Sequence, residues 1–84
     1  MKKDIIAAHK YCTANRKQLA KDKVCGCFYC LKIYDPKEIE DWIQDKDGDT
    51  ALCPYCDIDS VIGESSGYPI TLGFLKEMYN HWFT

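Results

Sequence analysis

The sequence has 84 residues, of which 46% are hydrophobic, and a formal net charge of −2 at pH 7. A chain this short has too little interior for two hydrophobic cores, so we expect one domain over residues 1–84. No apolar run approaches the ~20 residues of a membrane-spanning helix, and the apolar stretch at residues 5–8 is shorter than the core of a secretory signal peptide. These features predict a cytoplasmic protein without a membrane partner, in a compartment where thiols stay reduced.

Residues 1–23 have the pattern of one basic amphipathic helix that extends from Lys3 to about Lys21. One side combines apolar residues at three- and four-residue spacing, namely Ile5, Ile6, His9, Cys12 and Leu19. Another side has the lysine stripe, which consists of Lys3, Lys10, Lys17 and Lys21. Residues 1–24 have seven basic and two acidic side chains, whereas residues 25–84 have four basic and eleven acidic ones. Nucleic-acid binding, which depends on basic side chains, is therefore restricted to the N-terminal segment.

Residues 24–34 change to a strand-forming composition that is interrupted by three cysteines. Its β-formers are Val24, Phe28, Tyr29, Ile33 and Tyr34. This pattern predicts a hairpin around a metal-binding turn.

An inserted helix is predicted to begin at Asp35, which suits the N-cap position. Pro36 suits the first helical position, and Glu38 completes a capping box. The predicted buried side of this helix is formed by Ile39, Trp42 and Ile43, and the polar residues 45–49 end it.

A second cysteine turn follows residues 50–52, and we predict a short strand at residues 60–62 and a loop at residues 63–67. Thr71 suits the N-cap of a final helix. The apolar side of that helix is formed by Phe74, Leu75, Met78, Tyr79, Trp82 and Phe83. The predicted domain thus has a basic N-terminal helix (1–23), a two-knuckle core with an inserted helix (24–63), and a loop with an aromatic helix (64–84).

The strongest functional signal is two C-x-x-C motifs, Cys27 with Cys30 and Cys53 with Cys56, separated by 22 residues. Such spacing lets one tight turn direct two sulfurs at one ion, and four thiolates match the tetrahedral, soft-ligand preference of Zn²⁺. A rubredoxin-like iron site would use the same ligands. Disulfides and a thioredoxin-type redox pair fit less well, because the chain has two motifs and a reducing location. We predict one structural Zn²⁺ ion on these four cysteines.

Four protein ligands fill the coordination shell, whereas a catalytic zinc keeps one position open for water. The predicted protein is therefore not an enzyme. Cys25 makes only a C-x-C pair with Cys27, a poorer bite for one turn, so a packing residue of the hairpin or a thiol near the metal is favoured over a primary ligand. Cys12 lies in the helical pattern and is expected to be a buried free cysteine.

The remaining polar residues favour structural roles. His9 and His81 lie beside apolar positions and are expected to pack there. Residues 64–67 lack the glycine pattern of a phosphate-binding loop. Asp57 and Asp59 are better explained as residues that solvate or cap the turn after the second motif than as a catalytic pair.

Three aromatic residues, Phe28, Tyr29 and Tyr55, lie inside the two cysteine turns. Aromatic side chains at such positions can contact bases or a protein partner. Alternatively, they pack against the C-terminal helix and cover the sulfurs, which is the arrangement we expect here.

Residues 25–34 read CGCFYCLKIY and residues 51–63 read ALCPYCDIDSVIG, with SGYPIT at residues 66–71. These stretches, together with Asn15-Arg16 and the ending from Tyr79 to Phe83, resemble a family of small bacterial proteins described only as cytoplasmic proteins. The resemblance implies a zinc-ribbon-like protein of the bacterial cytoplasm and brings no established activity. Knuckles of this kind commonly have glycine after the second cysteine. Asp57 stands there instead, and it tolerates a left-handed backbone at a higher cost.

The sequence thus predicts a small α+β domain in which two β-hairpin knuckles are flanked by N-terminal, inserted and C-terminal helices, with zinc-ribbon or treble-clef topology. The predicted function is a non-enzymatic interaction module that binds a protein partner through exposed aromatic and acidic residues. The alternative is nucleic-acid binding by the lysine stripe with Tyr29 or Tyr55, which the acidic body of the domain opposes. A treble-clef nuclease would need histidine and acidic residues at an open metal position, and the sequence offers no such set.

Overall fold

The computed structural model describes the backbone of residues 2–84 and the side chains of residues 5–84, so the side chain of Lys3 lies outside the described part. The helices are α1 (Lys2–Ala8), α2 (Arg16–Leu19) and α3 (Leu72–Trp82). The strands are β1 (Cys25–Cys27), β2 (Ile33–Tyr34), β3 (Trp42–Ile43), β4 (Thr50–Ala51) and β5 (Val61–Gly63). Short 3-10 turns span His9–Cys12, Pro36–Glu38 and Glu64–Ser66. The predicted α+β class is confirmed.

The strands form two small antiparallel sheets. In the larger sheet, β1 lies between β2 and β5, and Cys25 is opposite both Tyr34 and Gly63. In the smaller sheet, β3 pairs with β4, with Trp42 opposite Ala51. Because β1 leads into the first cysteine turn and β5 comes after the second, their pairing brings the two turns to the same end of the larger sheet.

The predicted continuous N-terminal helix is wrong. The chain leaves the His9–Cys12 turn with extended backbone at Thr13, passes through a left-handed Ala14 with φ 50°, and begins α2 only at Arg16. The cause is Asn15, which is 1% exposed and forms side-chain hydrogen bonds with three backbone groups. A continuous helix would not leave the Asn15 amide free to make these distant bonds.

This break also divides the lysine stripe. Lys10 lies in the first 3-10 turn, Lys17 lies in α2, and Lys21 lies beyond the end of α2. The three lysines therefore do not share one face of one helix.

The predicted inserted helix is also wrong beyond its first turn. The Asp35 carboxylate accepts a hydrogen bond from the Lys37 amide at 2.9 Å, as an N-cap does. The backbone becomes extended at Ile39, and Trp42 begins strand β3. Glu38 does not close a capping box, because its carboxylate accepts a hydrogen bond from the Tyr55 hydroxyl. The side chains of this segment favour β-structure, and its backbone pairs with β4 instead of forming a helix.

Three other predicted elements are confirmed. The hairpin of β1 and β2 surrounds the first cysteine turn, and β5 is the strand expected after the second turn. Helix α3 begins after Thr71, whose hydroxyl accepts a hydrogen bond from the Phe74 amide at 3.2 Å. None of the described helices is long and apolar enough to cross a membrane.

The core consists of two clusters of buried residues. One cluster joins α1 and α3 to the larger sheet and contains Ile5, Ala8, Cys12, Phe28, Ile62, Phe74, Leu75 and Met78. The other surrounds the cysteine turns and contains Leu19, Cys25, Cys27, Tyr34, Ile39, Ala51, Cys53 and Val61. Cys12 is therefore a buried free cysteine, as predicted. The last two aromatic residues of the predicted α3 stripe, Trp82 and Phe83, remain 37% and 39% exposed.

Candidate metal centre

The structure brings together the four cysteines of the two C-x-x-C motifs. The Sγ atoms of Cys27, Cys30, Cys53 and Cys56 all lie within 4.8 Å of one another. The distance from Cys27 Sγ to Cys56 Sγ is 3.6 Å, and that from Cys30 Sγ to Cys53 Sγ is 3.7 Å. Four sulfurs at ~2.3 Å from one tetrahedral ion are ~3.8 Å apart. The four cysteines are thus arranged to bind one metal ion such as zinc.

Both sulfur–sulfur distances are far longer than the ~2.05 Å of a disulfide bond, and all six cysteines are free. The two short distances each join one motif to the other. A redox C-x-x-C pair would instead bond its own two sulfurs. The geometry favours metal binding over either disulfide alternative.

The two cysteine turns have the same backbone structure. In knuckle 1 (residues 27–30), the Leu31 amide donates to the Cys27 oxygen at 2.8 Å, and the Cys27 amide donates to the Lys32 oxygen at 3.0 Å. Knuckle 2 (residues 53–56) repeats both hydrogen bonds at the equivalent positions, also at 2.8 and 3.0 Å. Each motif therefore presents its pair of sulfurs in the same way.

Both knuckles require a left-handed residue directly after their second cysteine. Leu31 has a φ of 67° and Asp57 has a φ of 64°. This conformation costs an L-residue roughly 1–2 kcal/mol, although Asp tolerates it better than Leu. The left-handed backbone expected at Asp57 is confirmed, and the knuckle geometry explains why both positions accept it.

Main-chain amides point at the sulfurs. The Tyr29 amide donates to Cys27 Sγ and the Tyr55 amide donates to Cys53 Sγ, both at 3.4 Å. Burial raises the pKa of the Cys30 thiol to about 11, and a hydrogen bond from the Lys32 amide opposes this rise. Amide donors stabilise thiolates, so the knuckle backbone favours the ligand form that a metal requires.

The pKa of the Cys53 thiol is lowered although burial acts in the opposite direction. The nearby Tyr34 hydroxyl and the main-chain amides of Tyr55 and Cys56 account for the lower value. At Cys56 itself, burial raises the pKa, and an amide hydrogen bond from Ile58 again opposes it. Bound metal would take the place of the protons on all four sulfurs.

Cys25 lies outside the cluster of four sulfurs. It is fully buried in β1, beside the Tyr34 hydroxyl, and burial raises the pKa of its thiol to about 12. This position fits both roles expected for Cys25, because the residue packs in the hairpin and its thiol lies near Cys53.

Two residues near the sulfurs were not expected from the sequence. The Ser60 hydroxyl lies 3.0 Å from Cys27 Sγ, and the Tyr34 hydroxyl lies beside the sulfurs of Cys25 and Cys53. Their common signal is a hydroxyl residue four positions after the second cysteine of each motif. Strand propensity alone identified both only as parts of β-structure.

The aromatic residues of knuckle 1 pack as expected. Phe28 is buried, with its ring centroid 5.8 Å from that of Phe83, and the Tyr29 ring lies 4.9 Å from Phe83. In knuckle 2, Tyr55 packs instead against Tyr34 at 5.3 Å, away from α3. Tyr29 and Tyr55 remain 43% and 49% exposed.

His9 is half-buried and packs as expected, whereas His81 is exposed. The His9 ring lies 4.1 Å from the Trp82 ring, and the His81 ring lies 4.7 Å from it on the same helix. Neither histidine belongs to a group of side chains arranged for metal binding in residues 5–84.

Comparison with protein-family models, with curated proteins and with solved structures finds no match to this chain. The resemblance to small bacterial cytoplasmic proteins stays a prediction. The functional argument therefore rests on the geometry of the four cysteines and of the surface around them.

Proposed function

We propose that this chain is a zinc-ribbon-like domain in which one structural Zn²⁺ ion is bound by Cys27, Cys30, Cys53 and Cys56. The supporting observation is the set of four sulfurs within 4.8 Å of one another on two equivalent knuckles. Bound zinc supplies a cross-link between the two knuckles. Such a site contributes on the order of 10 kcal/mol of apparent binding free energy at neutral pH, which compensates for the small core of an 84-residue chain.

The ribbon topology is supported by the strand on the C-terminal side of knuckle 2. Strand β5 comes after this knuckle and pairs with β1, so both knuckles are attached to one sheet. A treble clef would have a helix at this point. The next α-helix in the chain, α3, begins only at Leu72.

A structural role for the metal is supported by the number of ligands. Four cysteine sulfurs occupy all four positions of a tetrahedral ion, whereas catalytic zinc needs one position for water or substrate. We therefore infer that the protein is not an enzyme.

We infer that the domain acts as an interaction module for a protein partner in the bacterial cytoplasm. Tyr29 and Tyr55, at the tips of the two knuckles, are 43% and 49% exposed, and Phe83 beside Tyr29 is 39% exposed. Exposed aromatic side chains on a rigid scaffold are common binding residues of protein interfaces. Residues 25–84 have a net negative charge, which favours a partner with a basic surface.

The alternative of nucleic-acid binding has less support. Lys10, Lys17 and Lys21 lie on different segments, and Arg16 is paired with Asp49 at 2.8 Å. A phosphate-binding surface needs several basic side chains on one face, and no specific observation in the described residues provides it.

Metal analysis with single Cys→Ser variants tests the zinc site. We expect one zinc per chain in the wild-type protein, loss of zinc and of folding in Cys53→Ser, and full zinc in Cys12→Ser as the matched control. Iron in place of zinc, zinc retained by Cys53→Ser, or a folded protein after complete chelation would contradict the proposed site.

Affinity capture with zinc-loaded protein tests the interaction module. The double variant Tyr29→Ser/Tyr55→Ser removes both exposed knuckle aromatics, and Ile43→Ser on β3 removes a similarly exposed apolar residue elsewhere. We expect a protein that is captured by the wild type and the control and lost with the double variant. A gel shift with DNA or RNA that is lost when Lys10, Lys17 and Lys21 are replaced by alanine would favour the alternative.

A further inference from the structure

Each knuckle is followed by a hydroxyl residue at the same distance in the chain. Tyr34 comes four residues after Cys30, and Ser60 comes four residues after Cys56. Tyr34 ends β2 and Ser60 directly precedes β5. The two strands flank β1 on opposite sides, so the two hydroxyl residues approach the sulfurs from opposite edges of the larger sheet.

Each hydroxyl lies near the first cysteine of the other knuckle. Ser60 Oγ, from the knuckle 2 side, lies 3.0 Å from Cys27 Sγ in knuckle 1. The Tyr34 hydroxyl, from the knuckle 1 side, lies beside Cys53 Sγ in knuckle 2. The arrangement is reciprocal, so each knuckle supplies one hydroxyl to the other.

Both hydroxyl residues are held in place by the fold. Ser60 is 2% exposed, and its main-chain oxygen accepts a hydrogen bond from the Phe28 amide at 3.0 Å. Tyr34 is 7% exposed and lies opposite Cys25 in the sheet. Both side chains are therefore kept away from water.

The Tyr34 hydroxyl has no hydrogen-bond partner among residues 5–84, although it is buried. Buried polar groups are nearly always hydrogen-bonded, and each exception calls for an explanation. A neutral thiol is a weak acceptor, whereas a thiolate accepts charge-assisted hydrogen bonds. Metal binding deprotonates cysteine ligands, and this would give the Tyr34 hydroxyl a strong acceptor at Cys53.

We propose that Ser60 and Tyr34 are positioning residues that donate O–H···S hydrogen bonds to the metal-bound thiolates of Cys27 and Cys53. This inference rests on the proposed metal site. The two bonds withdraw charge from the tetrathiolate centre and fix the orientation of the two buried sulfurs, as outer-shell partners of metal ligands generally do.

The proposal divides the site into an inner and an outer half. Cys27 and Cys53 are fully buried, and each has a main-chain amide donor as well as a nearby hydroxyl. Cys30 and Cys56 are partly exposed and have main-chain amide donors alone.

Titration of the reduced full-length chain with Co²⁺ tests the proposal. The variants are Ser60→Ala and Tyr34→Phe, each of which removes one hydroxyl. Ser66→Ala and Tyr68→Phe are matched controls, because they remove hydroxyls from the loop before α3, outside the cysteine cluster.

We expect each test variant to bind Co²⁺ about 10-fold more weakly than the wild type, as is typical for outer-shell substitutions. The sulfur-to-cobalt charge-transfer bands should also move to lower energy, since a thiolate without its hydrogen bond gives up an electron more easily. A merely structural loss would weaken binding without moving the bands. The controls should keep the wild-type band positions.

The outcomes separate this inference from the proposed function. A wild-type chain that binds no Co²⁺ would overturn the metal site itself. One bound Co²⁺ with unshifted bands in both test variants would overturn only the hydroxyl donors. If Tyr34→Phe fails to fold, the comparison of Ser60→Ala with Ser60→Thr tests the proposal. Ser60→Thr keeps a hydroxyl and should have the wild-type band positions.

Discussion

The side-chain amide of Asn15 donates a hydrogen bond to the main-chain oxygen of Val61 at 2.8 Å, although the two residues are 46 positions apart. The same amide donates to the Tyr11 oxygen at 3.1 Å, and the Asn15 side-chain oxygen accepts from the Ala51 amide at 3.1 Å. One buried side chain therefore joins the N-terminal segment to β4 and β5, the strands on either side of knuckle 2.

We expect Asn15→Ala to lower the free energy of unfolding by about 2–4 kcal/mol, because it leaves buried main-chain groups of Val61 and Ala51 without partners. Urea unfolding of the zinc-loaded protein measures the change. Asn80→Ala, on an exposed position of α3, is the matched control and should change stability by less than about 0.5 kcal/mol. Equal stability of the two variants would show that Asn15 does not join these segments.

Substitution by alanine is expected to have opposite effects on stability at two glycines, Gly63 and Gly73. A Cβ on Gly63 in β5 would lie 2.7 Å from Leu19 Cδ2 and would collide with the Asp22 carboxylate. Asp22 has little freedom to move, since it accepts hydrogen bonds from the Ser65 amide and hydroxyl. Gly63→Ala should therefore cost about 1–3 kcal/mol.

A Cβ on Gly73, in helix α3, would meet no atom within 4 Å. Gly73→Ala should stabilise the protein by about 0.5–1 kcal/mol, because alanine favours the helix. Thermal unfolding of both variants gives the comparison. Two shifts in the same direction would contradict the packing described around β5.

The cysteine site was predictable from the sequence because its signals are local. A knuckle needs two cysteines separated by two residues, and its geometry is set by hydrogen bonds within six residues, such as that from Leu31 to Cys27. The capping hydrogen bonds of Asp35 and Thr71 are also local, since each one joins residues two or three positions apart. These elements form as predicted, although the helix begun at Asp35 ends after one turn.

The errors concern residues whose partners are distant in the chain. The break in the N-terminal helix at Asn15 depends on hydrogen bonds to Val61 and Ala51. Strand β3 forms because Trp42 pairs with Ala51 across a hairpin. Helical spacing in the sequence contains no information about those partners. The hydroxyls of Tyr34 and Ser60 were missed likewise, because each one lies near a sulfur of the other knuckle.

Asp57, the left-handed residue directly after knuckle 2, provides a test of backbone strain. Asp57 is exposed and has a φ of 64°, so Asp57→Gly removes the strain. Asp57→Ala removes the same carboxylate and keeps the strain. We expect the glycine variant to be more stable than the alanine variant by about 1 kcal/mol in urea unfolding. An alanine variant of equal or higher stability would contradict the left-handed conformation.

The different burial of the cysteines predicts an order of alkylation. Under single-hit conditions with N-ethylmaleimide, the zinc-loaded protein should be modified first at Cys30 and Cys56, which are partly exposed. The four buried cysteines should react more slowly, with the protonated thiols of Cys12 and Cys25 last, because the thiolate is the reactive form. Peptide mass spectrometry gives the order, and the urea-denatured chain, in which all six should react alike, is the control. First modification at a buried cysteine would contradict the inner and outer halves of the site.

The Cys12 thiol predicts a loss of stability at alkaline pH. Burial, with a smaller contribution from the Asp59 carboxylate, raises the pKa of Cys12 from its usual 9.0 to about 11. The folded state therefore holds this proton more tightly than the unfolded state. The stabilisation is complete below pH 9 and is lost as the pH rises from 9 to 11, at up to about 1.4 kcal/mol per pH unit.

Urea unfolding of the reduced, zinc-loaded protein between pH 8 and pH 10.5 measures this loss. Cys12→Ala lacks the ionisable thiol, so its free energy of unfolding should fall less steeply with pH than that of the wild type. The difference in free energy of unfolding between the wild type and Cys12→Ala should therefore become smaller above pH 9. Asp59→Asn removes the carboxylate that helps to raise the Cys12 pKa, so its steep decline should end at a lower pH. Parallel curves for the wild type and Cys12→Ala would show that the Cys12 thiol ionises equally easily in the folded and unfolded chains.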